Sequence, residues 1–355
     1  MPSLSAPSRA TGASDHTSAD QARMPVPEPR GPLSAELIGT MTRDRDGADF
    51  RRAVAATVLP SGRDLLADED LQLTLTLLYE LHLRGITGVP DHREWDLDLL
   101  AARAQIERPF DEALGRADPV PGSAEDLIDA LWAAGESDDG PPMSHFMART
   151  ATTEQFRELV VHRSLNQLRE ADVHTLGIPR LHGGPKATLI EVQADEYGGG
   201  RLDRMHAMLY AQTMRALGLD DRYAHHIDHV PATTLAGLNA LSYFGLHRDR
   251  LPELIGHLCL VEMTSALPSK QYARGLRRLG FDAAATLFFD EHVEADSVHE
   301  QLVVRNLAGA LAAAEPGARA GLVRGAAVCG RMDTFAAEHI WKSWQSGNSS
   351  LRLPL

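Results

Sequence analysis

A segment late in the chain carries residue types and a spacing that could bind a metal. His292, Asp296 and His299 lie in a stretch without proline or glycine between Gly280 and Gly309. At about 100° per residue, positions 0, +4 and +7 of an α-helix share one face. Two imidazoles and a carboxylate on one face are costly in an apolar core unless something binds them. Nitrogen and oxygen donors without a nearby thiolate point to iron, manganese or zinc.

A second pattern combines Glu196, a triple glycine at 198–200 and His206. Each glycine inside a helix costs on the order of 1 kcal/mol relative to alanine. Ten residues of straight helix rise about 15 Å, whereas two bridged metals lie only about 3.5 to 4 Å apart. We therefore predict that the glycines bend the helix and bring Glu196 to His206. If the segment is straight, Glu196 has no role at the site.

Two isolated glutamates complete the candidate set. Glu170 lies near the end of a helical stripe that includes Phe156 and Val160, so its carboxylate could point inward. Glu262 lies among apolar residues, where an unpaired carboxylate would be costly. Each signal is weak alone, because a single glutamate is usually a surface residue. The alternative for the late segment is a solvated, charged helix that contains two histidines.

The elements that must position these residues are predicted to be helices. Apolar residues recur at helical spacing, and no alternating strand pattern of useful length occurs, so we predict an all-α fold. Residues 1–32, rich in proline, serine and charge, are predicted to be a disordered tail. Residues 33–120 are predicted to form a helical, dimerising region. Residues 121–345 are predicted to form the domain that carries the site, followed by a frayed tail.

Composition excludes some classes of function. The 355 residues are 43% hydrophobic, which is enough for a sizeable core. A formal charge of -14 argues against nucleic-acid binding, because neutralising phosphates requires a basic surface. Cys259 and Cys329 are the only thiols, and no spanning segment is evident, so a cytoplasmic location without membrane attachment is expected.

Together and in this order, the patterns resemble the ligand set of the heme-oxygenase-like di-iron oxidases and oxygenases, a family of iron-containing redox enzymes. The similarity covers roughly residues 120–330. It is greatest to the N-oxygenating branch, which includes the N-oxygenase domain of streptozotocin biosynthesis. The resemblance implies a heme-oxygenase-like helical bundle with an N-terminal helical extension. The cupin domain of that biosynthetic enzyme is not expected, because the chain ends at Leu355.

The resemblance also implies a role for each candidate residue. The implied ligands of one iron are Glu170, His206 and His299, and those of the other are His292 and Asp296. Glu262 would bridge the two irons. Glu196 matches an additional carboxylate of the N-oxygenating branch, and it is the position expected to report on reaction type. The implied cofactors are two Fe(II)/Fe(III) ions with dioxygen as cosubstrate, and the implied partners are a small-molecule substrate, an external electron donor and a second copy of the chain.

The leading functional prediction is oxygenation of an amine or guanidine of an amino-acid-like small molecule in specialised metabolism. Two ferrous ions can give dioxygen two electrons and form a bridged peroxide. The first alternative is hydrogen abstraction from carbon, which leads to desaturation, decarboxylation or C–C cleavage of an amino or fatty acid. Heme oxygenase proper would need one axial histidine and matches the carboxylates poorly. A non-catalytic helical interaction protein with a structural metal site is the last alternative. Tyr210 and Phe288 are among the aromatic residues that could line a substrate pocket.

Overall fold

The structure, a computed structural model, describes residues 22–43, 45–58, 64–116, 119–136 and 140–355. Within these ranges, nothing is described for the side chains of residues 58 and 294–298, so the prediction for Asp296 lies outside the described residues. Helices dominate the described ranges, where extended pairing is limited to an isolated bridge between Met24 and Ile86. The predicted all-α fold is confirmed. None of the helices in these ranges has the length and apolar character needed to cross a membrane.

The described residues of the N-terminal region form four longer helices. These are α1 (Pro32–Thr42), α2 (Gly47–Val58), α3 (Glu69–Glu80) and α4 (Leu97–Ala113). Asp68 caps α3 by accepting hydrogen bonds from the backbone N–H groups of Asp70 and Leu71. From Asp70 to Glu80 every residue of α3 is buried, so this helix is central in the molecule.

The remaining helices form the bundle. They are α5 (Ala124–Glu136), α6 (Met143–Arg149), α7 (Thr153–Gln167), the short α8 (Asp172–Thr175), α9 (Gly183–Glu196), α10 (His206–Ala216), α11 (Ala232–Leu246), α12 (Leu251–Thr264), α13 (Ala266–Arg278), α14 (Ala283–Gln301), α15 (Ala310–Ala314) and α16 (Arg319–Gln345). A π-helix, Leu302–Gly309, joins α14 to α15. Helix α14 packs against α10 and α13, which places the late histidines inside the bundle.

Helices α12 and α16 approach each other closely because glycines face the contact. A Cβ on Gly256 would collide with the backbone of Leu322, and a Cβ on Gly325 would collide with the backbone of Glu253. This close packing fixes the position of α12, which carries Glu262.

The N-terminal region and the bundle share one apolar core. Leu73 and Leu77 of α3 belong to the same buried cluster as Tyr243 and Phe244 of α11. Polar side chains add to this contact, because the Thr76 hydroxyl donates to the Asn239 side chain at 3.0 Å. Region 33–120 is therefore built into the bundle, while its role in dimerisation stays a prediction.

Both predicted tails are shorter than expected. Residues 22–31 are ordered: the backbone of Met24 pairs with Gly85 and Thr87, and Arg30 forms an ion pair with Glu69 at 2.6 Å. The tail prediction is wrong for this segment, and residues 1–21 lie outside the described residues. At the other end, Ser350 donates from its backbone N–H and its hydroxyl to the Glu158 carboxylate. Local composition does not show these partners, because Glu69 lies 39 positions from Arg30 and Glu158 lies 192 positions from Ser350.

Candidate metal centre

Separate elements bring the predicted ligands together. Glu170 follows the end of α7, Glu196 is the last residue of α9, and His206 is the first residue of α10. Glu262 lies near the end of α12 and is buried. The two histidines of α14 are also buried, with side chains only a few per cent exposed. The described candidates therefore converge in the interior.

The first group consists of Glu170, His206 and His292. Their potential ligand atoms lie within 4.8 Å of one another. The Glu170 carboxylate is 3.9 Å from His206 Nδ1 and 3.6 Å from His292 Nε2. The two imidazole rings face each other with centroids 4.5 Å apart. Two nitrogens and a carboxylate around one point form a donor set typical of iron sites.

The second group consists of Glu196, Glu262 and His299. Its potential ligand atoms also lie within 4.8 Å of one another, and His299 Nδ1 is 3.3 Å from the Glu262 carboxylate. The two groups are adjacent, because His206 Nδ1 is 3.0 Å from the Glu196 carboxylate. The arrangement can accept two neighbouring metal ions.

Each of the two α14 imidazoles forms a hydrogen bond on the side away from the candidate metal centre. This bond determines which ring nitrogen faces the centre. His292 Nδ1 donates to the Phe288 carbonyl at 2.8 Å, which leaves the Nε2 lone pair toward Glu170. His299 Nε2 donates to the Asp195 carboxylate at 3.0 Å, which leaves the Nδ1 lone pair toward Glu262. Such outer partners fix the tautomer and orientation of metal-binding histidines.

Electrostatics show that the pocket attracts positive charge. Burial by itself would lower the pKa of His292, but the Glu170 carboxylate raises it to about 10. The pKa of His299 is raised to about 9, mainly by Glu262. Burial would raise the pKa of Glu196, yet its contact with His206 lowers it. Without a metal, protons therefore compensate the carboxylates where a cation would otherwise do so.

Unpartnered atoms provide a direct test of whether the residues fit iron. Glu170 Oε2, His206 Nδ1 and His299 Nδ1 are buried and make no well-formed hydrogen bond. Buried polar atoms without partners are rare in proteins. These three atoms belong to residues of the two adjacent groups, and all three are of types that bind metals. The residues present therefore fit a pair of iron ions.

The comparisons with known proteins agree with this chemistry. A family model described as iron-containing redox enzyme matches residues 157–334. The chain belongs to this family. It is an oxidoreductase with a heme-oxygenase-like helical fold, as the resemblance predicted. The chain is also 22% identical over 180 residues to a nitrosourea synthase of Streptomyces achromogenes subsp. streptozoticus. The match covers 51% of this chain and 38% of that relative, so the chain matches well under half of the relative's length.

In this iron-containing redox enzyme, the triple glycine breaks the helix between Glu196 and His206. All three glycines have positive φ, at 63°, 60° and 78°. Helix α9 ends at Glu196 and α10 begins at His206, so the predicted bend is confirmed and extends to a complete interruption. A Cβ on Gly198 would collide with the backbone at Arg204 and Met205. Glycine is therefore required at position 198 for the chain to fold back.

The turn that carries Glu170 is held from both sides by the N-terminal region. Arg169 lies 3.4 Å from the Glu80 carboxylate at the end of α3, and both side chains are buried. On the other side, Asp172 accepts from Arg84 at 2.9 Å. Between them, Ala171 adopts a left-handed backbone with φ of 72°, a conformation that non-glycine residues keep only where the surroundings impose it. Sequence patterns gave no sign of these contacts, because their partners lie about ninety positions apart.

The grouping of the ligands differs from the prediction. Glu170 and His206 lie with His292, whereas His299 lies with Glu196 and Glu262. His292 and His299 are seven residues apart on α14, a rise of about 10 Å, so they reach different groups. Sequence order cannot show which imidazole meets which carboxylate. The sequence analysis did not single out Asp195, which contacts His299; its position beside Glu196 was the available signal.

Proposed function

We propose that this enzyme is a non-heme di-iron oxygenase. Two iron ions would be held by a set of seven side chains, namely Glu170, Glu196, His206, Glu262, His292, His299 and Asp296. The observation that carries the proposal is the pair of adjacent three-residue groups linked by the 3.0 Å contact between His206 and Glu196. Asp296 enters only through the family resemblance.

The proposed reaction is oxygenation of an amine or guanidine of an amino-acid-like small molecule in specialised metabolism. Two ferrous ions held by these side chains would supply two of the electrons needed to reduce dioxygen. One oxygen atom is transferred to nitrogen and the other leaves as water. The amine nitrogen supplies the other two electrons that dioxygen needs, two protons are consumed, and an external reductant returns the two electrons that the irons have lost. The first product is a hydroxylamine, and repetition of the step leads to nitroso or nitro products.

The residues of the chain have distinct tasks in this proposal. Asp195 and the Phe288 carbonyl hold the α14 imidazoles in the tautomers that face the irons. The Phe288 ring packs on His292 and on Tyr210, with centroids 4.3 and 4.8 Å away, and limits water on that side. These contacts favour Phe288 and Tyr210 as pocket residues.

Glu196 favours nitrogen as the site of oxidation. Its carboxylate lies within the second group and touches His206, which supports the proposal that it is the additional carboxylate of the N-oxygenating branch. The name of the nitrosourea synthase points to nitrogen chemistry in a relative. The experiment below separates this reaction from hydrogen abstraction at carbon.

The test loads the protein anaerobically with Fe(II) and then admits isotopically labelled dioxygen with a panel of amines, guanidines and fatty acids. We expect about two irons per chain, oxygen consumption with an amine or guanidine, and a product that contains one labelled oxygen on nitrogen. Glu196→Gln should lose this product, whereas Glu191→Gln, exposed on the same helix, should retain it. An alkene, an aldehyde or released carbon dioxide without N-oxygenation would favour the carbon chemistry. Failure to bind more than one iron would contradict the proposal.

We further propose a cytoplasmic homodimer that receives electrons from a separate reductant. Trp95 and Leu97, which are separated by one residue in the N-terminal region, are 68% and 81% exposed, and we place them in the dimer contact. Light scattering at micromolar concentration should give twice the chain mass, and Leu97→Asp should shift the protein toward a monomer. A wild-type protein that remains monomeric would exclude the dimer.

A further inference from the structure

The hydroxyl of Tyr197 joins two chain segments that carry ligands of different groups. Tyr197 directly follows Glu196, which belongs to the second group. Its hydroxyl donates to the Asp172 carboxylate at 3.0 Å. Asp172 lies two residues after Glu170, which belongs to the first group. One side-chain hydrogen bond therefore connects a ligand segment of the first group with a ligand segment of the second.

The neighbouring hydroxyl of Thr175 does not compete for this bond. Thr175 donates its hydroxyl proton to the Gln193 amide oxygen at 2.7 Å, and its oxygen lies 3.1 Å from the Tyr197 hydroxyl. A phenol is protonated at neutral pH and has one proton to donate. A carboxylate is a stronger acceptor than a hydroxyl, so the phenolic proton belongs to Asp172. The bond from Thr175 to Gln193 adds a second link between α8 and α9.

Both ends of the Tyr197–Asp172 bond are held in place by their surroundings. Ala171, the residue before Asp172, has a left-handed backbone with φ of 72°. Arg84 donates to the other oxygen of the Asp172 carboxylate at 2.9 Å. At the opposite end, the backbone N–H of Tyr197 donates to the Gln193 carbonyl at 3.0 Å. A displacement of one segment is therefore transmitted to the other.

The direct contact between the two groups depends on an atom that metal binding would occupy. His206 Nδ1 is 3.0 Å from the Glu196 carboxylate. If this nitrogen binds iron, it has no proton left to donate to Glu196, because a ligating imidazole nitrogen is deprotonated. The bond between Tyr197 and Asp172 involves none of the candidate ligands, so it persists when both groups are filled.

We propose that Tyr197 is a positioning residue that couples iron binding at the two groups. When the first group holds an ion, the turn that carries Glu170 is fixed. The bond between Asp172 and Tyr197 then holds the end of α9, so that Glu196 is in place for the second ion. The same link acts in the reverse direction, because coupling between two binding sites is reciprocal. The proposal rests on the proposed function, because it takes both groups as iron sites.

The test measures the two stepwise affinities for Fe(II) without oxygen, by competition with a chelator. Tyr197→Phe keeps the ring and removes only the hydroxyl, so the fold should be retained. We expect the second iron to bind at least about 5-fold more weakly in this variant than in the wild type, whereas the affinity for the first iron should be nearly unchanged. A hydroxyl with a structural role alone would weaken both steps alike or neither, and either result would overturn the proposal.

Tyr243→Phe is the matched control. Tyr243 is a buried tyrosine of α11, a helix that carries none of the candidate ligands. Its replacement removes a hydroxyl of the same kind and should leave both iron affinities unchanged. A loss of the second step in Tyr243→Phe as large as in Tyr197→Phe would contradict the assignment.

Asp172→Ala tests the acceptor of the same hydrogen bond. It should weaken the second step at least as much as Tyr197→Phe does. In the double variant the second step should be no weaker than in Asp172→Ala alone, because the Tyr197 hydroxyl then has no carboxylate left to lose. A further weakening in the double variant would show that the hydroxyl acts elsewhere and would overturn the assignment.

Failure of the proposed function has a different signature. In that case the loss of the second step in Tyr197→Phe would persist, while no amine or guanidine is N-oxygenated in the presence of oxygen and reductant. If amines are N-oxygenated but the wild type and Tyr197→Phe bind both irons equally well, the coupling role of Tyr197 alone is overturned.

Discussion

At the scale of single residues, each histidine of α14 is held by an outer contact of the kind that orients metal-binding imidazoles. His292 uses a backbone carbonyl of its own helix, whereas His299 uses the side chain of Asp195 on α9. The Asp195 side chain is 64% exposed, so its ionised form costs little. A side chain at the surface thus sets the tautomer of a buried imidazole.

Replacing Asp195 should weaken iron binding at the group that contains His299 and leave iron binding at the group that contains His292 unchanged. Asp195→Ala removes the acceptor of the His299 Nε2–H, so Nδ1 is no longer held toward Glu262. Loss of such an outer partner lowers metal affinity by about 10- to 100-fold. Competition with a chelator should show this loss for one of two bound irons. Glu191→Ala, exposed one turn earlier on the same helix, should leave both affinities unchanged.

At the scale of elements, the glycine segment has to fold the chain back between α9 and α10. Gly198→Ala should prevent this, because the added Cβ meets backbone atoms at Arg204 and Met205. Gly199→Ala meets nothing within 4 Å, and so its cost is limited to about 1 to 2 kcal/mol for a left-handed alanine. The thermal unfolding temperature and the iron content should fall much more in Gly198→Ala than in Gly199→Ala. Equal losses in the two variants would contradict the close approach at Gly198.

The end of α3 positions the turn that carries Glu170. Arg169→Gln leaves the buried Glu80 carboxylate without its cation, which should lower the free energy of unfolding by about 3 kcal/mol. The turn should also loosen, so that iron bound at Glu170, His206 and His292 is weakened in a chelator competition.

The control for this experiment is Arg324→Gln. Arg324 is also largely buried and contacts Asp111 at 2.7 Å and Glu253 at 3.4 Å, but it touches none of the candidate ligands. Its replacement should lower stability by a similar amount and leave iron affinity unchanged. If Arg324→Gln lowered the iron affinity as much as Arg169→Gln does, the positioning role of α3 would be refuted.

At the scale of the whole molecule, the C-terminal segment is fastened to α7 through a buried histidine. His162 contacts the hydroxyls of Thr234 at 2.7 Å and Ser350 at 3.0 Å. Burial lowers its pKa to about 3, with His339 and Arg163 adding to the effect and Glu158 opposing it. The folded protein therefore keeps this imidazole neutral where the unfolded chain would protonate it.

This difference predicts a loss of stability in acid. Because the folded pKa is depressed, the contribution of His162 is fully present above pH of about 6.5 and is lost as the pH falls toward 3. Between pH 7 and 5 the wild type should lose about 2 kcal/mol through this residue. Denaturant unfolding of His162→Gln should show a correspondingly smaller pH dependence. His182 is exposed, so His182→Gln should show the same pH dependence of the unfolding free energy as the wild type. If His162→Gln also kept the wild-type pH dependence, the loss of stability in acid could not be assigned to His162.

The sequence predicted the all-helical class, because apolar spacing reports directly on local structure. It also predicted a bend at the triple glycine, since Glu196 could not otherwise reach His206, but not the complete interruption of the helix. The grouping of ligands depends on how helices pack, and sequence spacing contains no such distance. The Glu80–Arg169 contact and the docking of Ser350 on Glu158 join residues far apart in the chain. Composition marked residues 22–31 as disordered, although distant partners such as Glu69 hold them in place.

The central claim is that two irons bind side by side in one interior pocket. Anomalous diffraction at the iron edge from crystals grown with Fe(II) without oxygen tests it most directly. We expect two peaks about 3.5 to 4 Å apart, one beside Glu170, His206 and His292 and the other beside Glu196, Glu262 and His299. A single peak, or peaks away from these side chains, would contradict the account.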